Sequence, residues 1–209
     1  MNMGGISRRL INFCRLFVGR IRGGLAIVAV LAAMIFAAIS GSGPATVAAL
    51  GVFMIPAMVN DGYDVGFAGA LMGSAGGLGI IIPPSIPMVI YATLAGCSVG
   101  TMFCAGIVPG IILGLAMMIY AYIIARRNGY KPAPVDAPTF KDKVKVFADG
   151  LPAIAMPVII LGGIYSGIFT PTQASGIAVI YGLILGVLVF RMAGVMCCLV
   201  GTKLNLKER

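Results

Sequence analysis

Apolar and polar positions along the chain fall into long blocks. No Asp, Glu, Lys or Arg occurs from 23 to 60, from 65 to 125, or from 150 to 190, about two thirds of the 209 residues. Apolar runs of this length predict membrane-embedded helices. Residues 3–22 behave differently. At about 100° per residue, Ile6, Leu10, Phe13, Phe17 and Ile21 share one helical face, and Arg8, Arg15 and Arg22 share another. Segment 1–22 is therefore predicted to be an amphipathic interfacial helix with its arginines toward anionic lipid. A targeting signal is the alternative, with Arg8-Arg9 ahead of the run from Leu25 to Phe36 and small residues at Ala37-Ala38. The apolar pattern continues far beyond a cleavable core, which argues against it.

Within 23–60 the run is interrupted by Ser40-Gly41-Ser42-Gly43-Pro44. Glycines lower helix propensity and Pro44 lacks a donor, so the chain is expected to leave the helix here. The arms of about 17 and 16 residues are each roughly 25 Å long, short of a hydrocarbon core of about 30 Å. The spacing fits a re-entrant hairpin with its tip inside the membrane. It also fits two ordinary spans with a Gly/Ser loop at the far surface. Non-helical backbone at membrane depth is tolerated only inside protein or beside a water-filled cavity.

Segment 65–97 has the length of one tilted span, but Gly73, Gly76, Gly77 and Gly79 lead into Pro83-Pro84-Ser85-Ile86-Pro87. A helix broken there frees carbonyls at the end of its first half and N–H groups at the start of its second. Such carbonyls suit Na⁺, and such N–H groups suit a carboxylate. The simpler alternative is a proline kink packed by small residues. Residues 101–125 are one plain span ending at Arg126-Arg127. Segment 126–149, with Pro132, Pro134 and Pro138, is a cytoplasmic linker. Block 150–190 is interrupted at Phe169-Thr170-Pro171-Thr172 and predicts two transmembrane helices, and 191–209 is a divergent tail.

Composition narrows the class. With 60% hydrophobic and 10% charged residues and a mean hydropathy of +1.06, there is too little polar side chain to cover a soluble fold. The chain is expected to be an all-α integral membrane protein. Histidine is absent, and all six acids lie outside the charge-free stretches. Those facts exclude zinc hydrolysis, a Ser–His pair, an intramembrane aspartyl dyad and a proton relay of buried acids. No GxxxxG is followed by a Walker lysine, and the five cysteines form no CxxC. No enzyme is expected. The net charge of +9 does not point to nucleic acid, because eleven of the fifteen basic residues cluster beside apolar spans, at 8–22 and 126–145. Such clusters mark cytoplasmic loops.

Several motifs, in order, resemble the large permease subunit of tripartite ATP-independent periplasmic (TRAP) transporters. They are Gly23-Gly24-Leu25 through Ser40-Gly41-Ser42, Ile55-Pro56-Ala57-Met58 before Gly62-Tyr63-Asp64, Gly79-Ile80-Ile81-Ile82-Pro83-Pro84-Ser85-Ile86-Pro87, Ala105-Gly106-Ile107-Val108-Pro109-Gly110, and Gly162-Gly163-Ile164-Tyr165-Ser166-Gly167-Ile168-Phe169-Thr170-Pro171-Thr172. The resemblance implies a multi-pass protein of the bacterial inner membrane. It implies an elevator-type secondary transporter of two inverted repeats, each giving a re-entrant hairpin and a broken helix to a central site. Na⁺ would be the coupling ion, with no other cofactor. A periplasmic substrate-binding protein would deliver an organic acid, commonly a C4-dicarboxylate or sialic acid, and a small membrane subunit would join the permease.

Carried over residue by residue, Ser40, Gly41 and Ser42 form the hairpin tip, with Thr46 just beyond. Pro83, Pro84 and Ser85 form the facing break, and these seven residues are the implied substrate- and ion-binding set. Ser40, Gly41, Ser42 and Ser85 are the implied Na⁺ ligands, since hydroxyl and carbonyl oxygens are hard ligands suited to it. Three departures stand out. The family subunit is about twice this length, so the second hairpin and second broken helix are expected to be missing. From Met192-Ala193-Gly194 onward the tail leaves the pattern, like a frame change or early stop. Gly43-Pro44 stands where the family often has Ser or Ala. The competing expectation is therefore a truncated, non-transporting remnant that inserts in the membrane but lacks half the site. A pore-forming homo-oligomer is a further alternative, made harder by the inverted repeats.

Overall fold

The computed structural model describes residues 23–130 and 155–184. The interfacial helix predicted for 1–22, most of the linker and the 191–209 tail lie outside the described residues. Among those described, all regular structure is helical. Helix α1 spans Gly24–Ser40, α2 Gly43–Asn60, α3 Val65–Gly76, α4 Leu78–Ile81, α5 Ile86–Ala95 and α6 Val99–Arg127. Two further helices follow, α7 over Ala155–Tyr165 and α8 over Pro171–Ile184. Among the described residues, three stretches are long and apolar enough to cross a membrane: Gly43–Asn60, Val65–Ala95 and Val99–Arg127.

Helix α1 is the central strut. Its sequence is rich in Ala, Val, Ile and Leu, and ten of its residues are buried, from Gly24 to Ala37. A helix apolar on all sides belongs in the interior, and α1 packs against α2, α3, α4 and α6. It ends where Gly41 turns left-handed at φ 60°, its N–H donating to the Ala37 carbonyl. Glycine is the usual residue for that C-terminal position.

Helix α6 runs antiparallel to α1. Gly23 sits against Ala125, and Gly114 against the Met34 thioether. Gly106, Gly110, Gly114, Ala121 and Ala125 form a buried ridge of small residues along α6. Such ridges let membrane helices approach closely. The opposite face carries exposed Val108, Ile112, Leu115, Ile119 and Ile123. The 29 residues of α6 extend roughly 43 Å, against roughly 25 Å for the 17 of α1.

The structure alters three sequence expectations in detail. The non-helical tip is only Gly41-Ser42, because Gly43 and Pro44 open α2. A proline in the first turn removes an N–H that has no intrahelical partner anyway. The broken helix is in three pieces, with a small irregularity at Gly77 ahead of the main break at 82–85. In the last block the turn comes earlier, at 166–170, and Pro171 opens α8. There, the Thr170 hydroxyl accepts from the Gln173 N–H while the Gln173 side chain accepts from the Thr170 N–H. That is a reciprocal cap.

At the pole where α2 turns into α3, Asp64 caps α3 by accepting the Phe67 N–H at 3.1 Å. The Tyr63 and Tyr130 rings lie 4.3 Å apart between centroids, with Phe67 6.2 Å from each. The Asp64 N–H donates to the Tyr130 hydroxyl at 3.3 Å. This aromatic staple ties the α2–α3 turn to the end of α6. Burial raises the Tyr63 phenol to about 12, opposed by a backbone hydrogen bond at Ala26 and assisted by the nearby Asp61 charge. Because the folded value lies above the usual one near 10, the staple is fully present below pH ~10 and weakens as pH rises through about 12. Alkaline titration followed by tyrosinate absorbance is expected to show a late component, coinciding with loss of stability, that Tyr63→Phe removes. A Tyr63→Phe chain with an unchanged titration would contradict this.

Candidate functional site

The tip between α1 and α2 meets the break between α4 and α5, backbone against backbone. Ile82 and Ser85 are extended, the Pro83–Pro84 peptide is cis, and α5 begins at Ile86. The Ile86 N–H donates to the Gly41 carbonyl oxygen at 3.1 Å. The first donor of α5 is thus capped by another element. Ser85, in the usual capping position, instead donates its hydroxyl to the Ile80 carbonyl. Of the groups that a broken helix was expected to leave free, the Ile86 N–H therefore binds break to tip, and the Ile80 carbonyl is taken up within the break by Ser85.

Glycines make the approach possible. A Cβ at Gly41 would lie 2.6 Å from the Pro84 carbonyl oxygen, and one at Gly79 2.8 Å from that of Ser42. A Cβ at Gly43 would lie 2.9 Å from the Gly76 carbonyl oxygen. All three distances are below normal van der Waals contact.

Within the tip, the Thr46 hydroxyl donates to the Ser42 carbonyl at 2.8 Å and lies 3.0 Å from the Ser40 hydroxyl. The Ser42 N–H donates to Ser40 Oγ at 3.4 Å. Thr46 is fully buried and Ser85 nearly so, and they are the buried polar side chains among the described residues. Each is satisfied by hydrogen bonds, as buried polar groups must be.

Beside the junction is a cavity of about 220 Å³. Ser40, Gly41, Pro84 and Ser85 line one side, and Phe103, Ile160 and Ser175 are among the residues opposite. No charged side chain lines it. Of the residues singled out from sequence, these four come together at the cavity. Ser42, itself in the tip, Thr46 just beyond it and Pro83 in the break do not line the cavity. Sequence reasoning missed Ser175 and the α7 face. Ser175 Oγ donates to the Thr172 carbonyl at 2.6 Å, one turn into a helix whose start is signalled by the Thr-Pro-Thr-Gln cap. That signal locates the helix, but only folding brings Ser175 opposite Ser40. Among the described residues, no three His, Cys, Asp or Glu are grouped to hold a metal.

A helix bundle of this apolarity, with a broken helix meeting a hairpin tip at an uncharged cavity, defines a multi-pass membrane protein of transporter type. Residues 1–206 match the family described as the tripartite ATP-independent periplasmic transporter, DctM component, and the chain belongs to that family. It is 49% identical over 191 residues to the C4-dicarboxylate TRAP transporter large permease protein DctM of Pseudomonas aeruginosa, covering 91% of this chain and 44% of that one. It is 47% identical to the isethionate TRAP transporter permease protein DctMQ of Oleidesulfovibrio alaskensis, covering 91% and 30%. It is 37% identical to the sialic acid TRAP transporter large permease protein SiaM of Vibrio cholerae, covering 91% and 44%. The chain thus spans less than half the length of these relatives. Like them it is a multi-pass inner-membrane protein, and the family is one of transporter components rather than enzymes.

Proposed function

We propose that the chain carries one half of the transport site of a Na⁺-coupled importer of organic acids. The observation that carries this reading is the tip–break junction beside a largely apolar cavity whose polar side chains are Ser40, Ser85 and Ser175, without a charged group. Neutral oxygens suit Na⁺, which needs no formal charge from its ligands when several converge. The relatives named for C4-dicarboxylate, isethionate and sialic acid support an organic anion as the cargo. A periplasmic substrate-binding protein supplies it, and a small membrane subunit completes the permease.

The lengths support a re-entrant hairpin. α1 starts level with the Arg126-Arg127 end of α6 and stops well short of the other end. Past the tip, the ten largely apolar residues of α5 run on for roughly 15 Å. A tip at the outer surface would leave those residues, with exposed Ile86, Ile90 and Leu94, in water. Backbone bonding between tip and break also supports an elevator motion in which the two travel together.

The test uses a full-length relative that carries these serines, reconstituted with its small subunit and binding protein. Ser40→Ala combined with Ser85→Ala is expected to weaken the Na⁺ dependence of uptake at least tenfold in half-saturating concentration. An unchanged Na⁺ response removes these hydroxyls from the ion site. In the same assay the 209 residues alone are expected to give no Na⁺-driven uptake. Uptake above empty liposomes would show that this half suffices.

A further inference from the structure

The α2–α3 turn holds two carboxylates at the pole where α1 begins. Asp64 caps α3. The Asp61 backbone is fixed, its N–H donating to the Ala57 and Met58 carbonyls. Among the described residues, however, Asp61 Oδ2 is buried with no hydrogen-bond partner. A carboxylate oxygen shut away from water without a partner is costly, and a charge-assisted bond is what best offsets that cost. Arg126 and Arg127 do not supply it. They are exposed in the last turn of α6, where they complement that helix's own carbonyl end.

The hairpin itself indicates the partner. Its arms α1 and α2, of 17 and 18 residues, pack together, so the start of one lies level with the end of the other. Arg22 stands 19 residues before Gly41, and Asp61 stands 19 residues after Ser42. The Tyr63 phenol, beside both the Ala26 backbone and the Asp61 charge, ties the same turn to the start of α1. The first turn of α1 holds no acid, and Gly23 at its N-cap offers no side-chain bond. A cation just ahead of that turn opposes the helix dipole unless an anion stands near. We propose that Asp61 is the docking site for the guanidinium of Arg22, which belongs to the N-terminal segment outside the described residues, and that this ion pair closes the base of the hairpin. Turn 61–64 then gathers three elements: α6 through Tyr130, α1 through Tyr63, and the basic N-terminal segment through Asp61.

The experiment is a double-mutant cycle on the full chain in lipid nanodiscs, read as the thermal midpoint. Arg22→Gln leaves the Asp61 carboxylate without its cation and should lower the midpoint by about 5 °C. Asp61→Asn should cost less, because the freed arginine can turn to lipid phosphate. Added to Arg22→Gln, Asp61→Asn should recover most of the loss, since it removes the stranded charge. Arg20→Gln is the control and should show no such recovery. Should Arg22→Gln not fold, the same substitution made in the Asp61→Asn chain should leave the midpoint unchanged. Proximity is tested separately in a chain whose native cysteines are replaced by Ala. Arg22→Cys with Asp61→Cys should be joined by a short bifunctional thiol reagent, as read by mass spectrometry, and Arg8→Cys with Asp61→Cys should not. Additive losses at 22 and 61, recovery at Arg20 in place of Arg22, or no cross-link between 22 and 61 overturns the inference.

Discussion

Replacing Gly41 with Ala is expected to break the junction between hairpin and broken helix. Two costs coincide there. The residue sits at φ 60°, where a side chain is strained, and its Cβ would lie 2.6 Å from the Pro84 carbonyl oxygen and 3.5 Å from the Ile86 nitrogen. Those neighbours are backbone, held by the hydrogen bond from Ile86 to Gly41 itself, so relief requires moving α5. Left-handed strain and a backbone clash together cost about 3 kcal/mol or more. Gly62 is the control: its φ is 89°, yet nothing lies within 4 Å of the added carbon. Gly62→Ala should pay only for the dihedral, about 1–2 kcal/mol. Thermal melting in nanodiscs separates the two, and equal losses for both substitutions would show that the junction is not a rigid contact.

The second large effect is expected at Gly79→Ala, on the other side of the same contact. Here the dihedrals are helical, and Ala is favoured over Gly in a helix by about 1 kcal/mol. Against that, the new carbon would lie 2.8 Å from the Ser42 carbonyl oxygen, 2.9 Å from its carbon and 3.0 Å from the Gly43 nitrogen. Three backbone atoms cannot turn aside as a side chain can. Overpacking of about 1–3 kcal/mol outweighs the propensity gain, so the substitution should destabilise. Gly73→Ala, with nothing within 4 Å, should leave stability unchanged or raise it by up to about 1 kcal/mol. If Gly79→Ala melts higher than the parent chain, tip and break are not in contact.

Much of this architecture is legible in the sequence because its punctuation is local. Ser40-Gly41-Ser42 and Pro83-Pro84 announce their interruptions through backbone chemistry that needs no tertiary context. The apolar lengths on either side set the helices. Two details were lost to position within a helix. Pro44 looks like a breaker but is harmless in a first turn, and Gly77 marks a small irregularity that composition alone does not separate from Gly76 or Gly79. The meeting of Gly41 with Ile86, of Gly79 with Ser42, and of Ser40 with Ser175 depends on folding between distant segments. No periodicity encodes it. Thr46 illustrates the same gap: the motif sets it just beyond the tip, and only the fold shows its hydroxyl bonded to the Ser42 carbonyl and beside Ser40, outside the cavity lining.

The burial of α1 on nearly every side bears on how the protein is made. The hairpin leaves the ribosome well before α6, whose small-residue ridge receives Gly23 and Met34. Until α6 arrives, the Ala-rich flank of α1 that it covers has only lipid to face, although the tip can already meet Pro84 and Ile86, which precede α6 in the chain. Membrane insertion of the first two helices is therefore provisional, and final seating waits on translation through Ala125. A nascent chain stalled before α6 should leave the hairpin sensitive to protease, and one stalled after Ala125 should not.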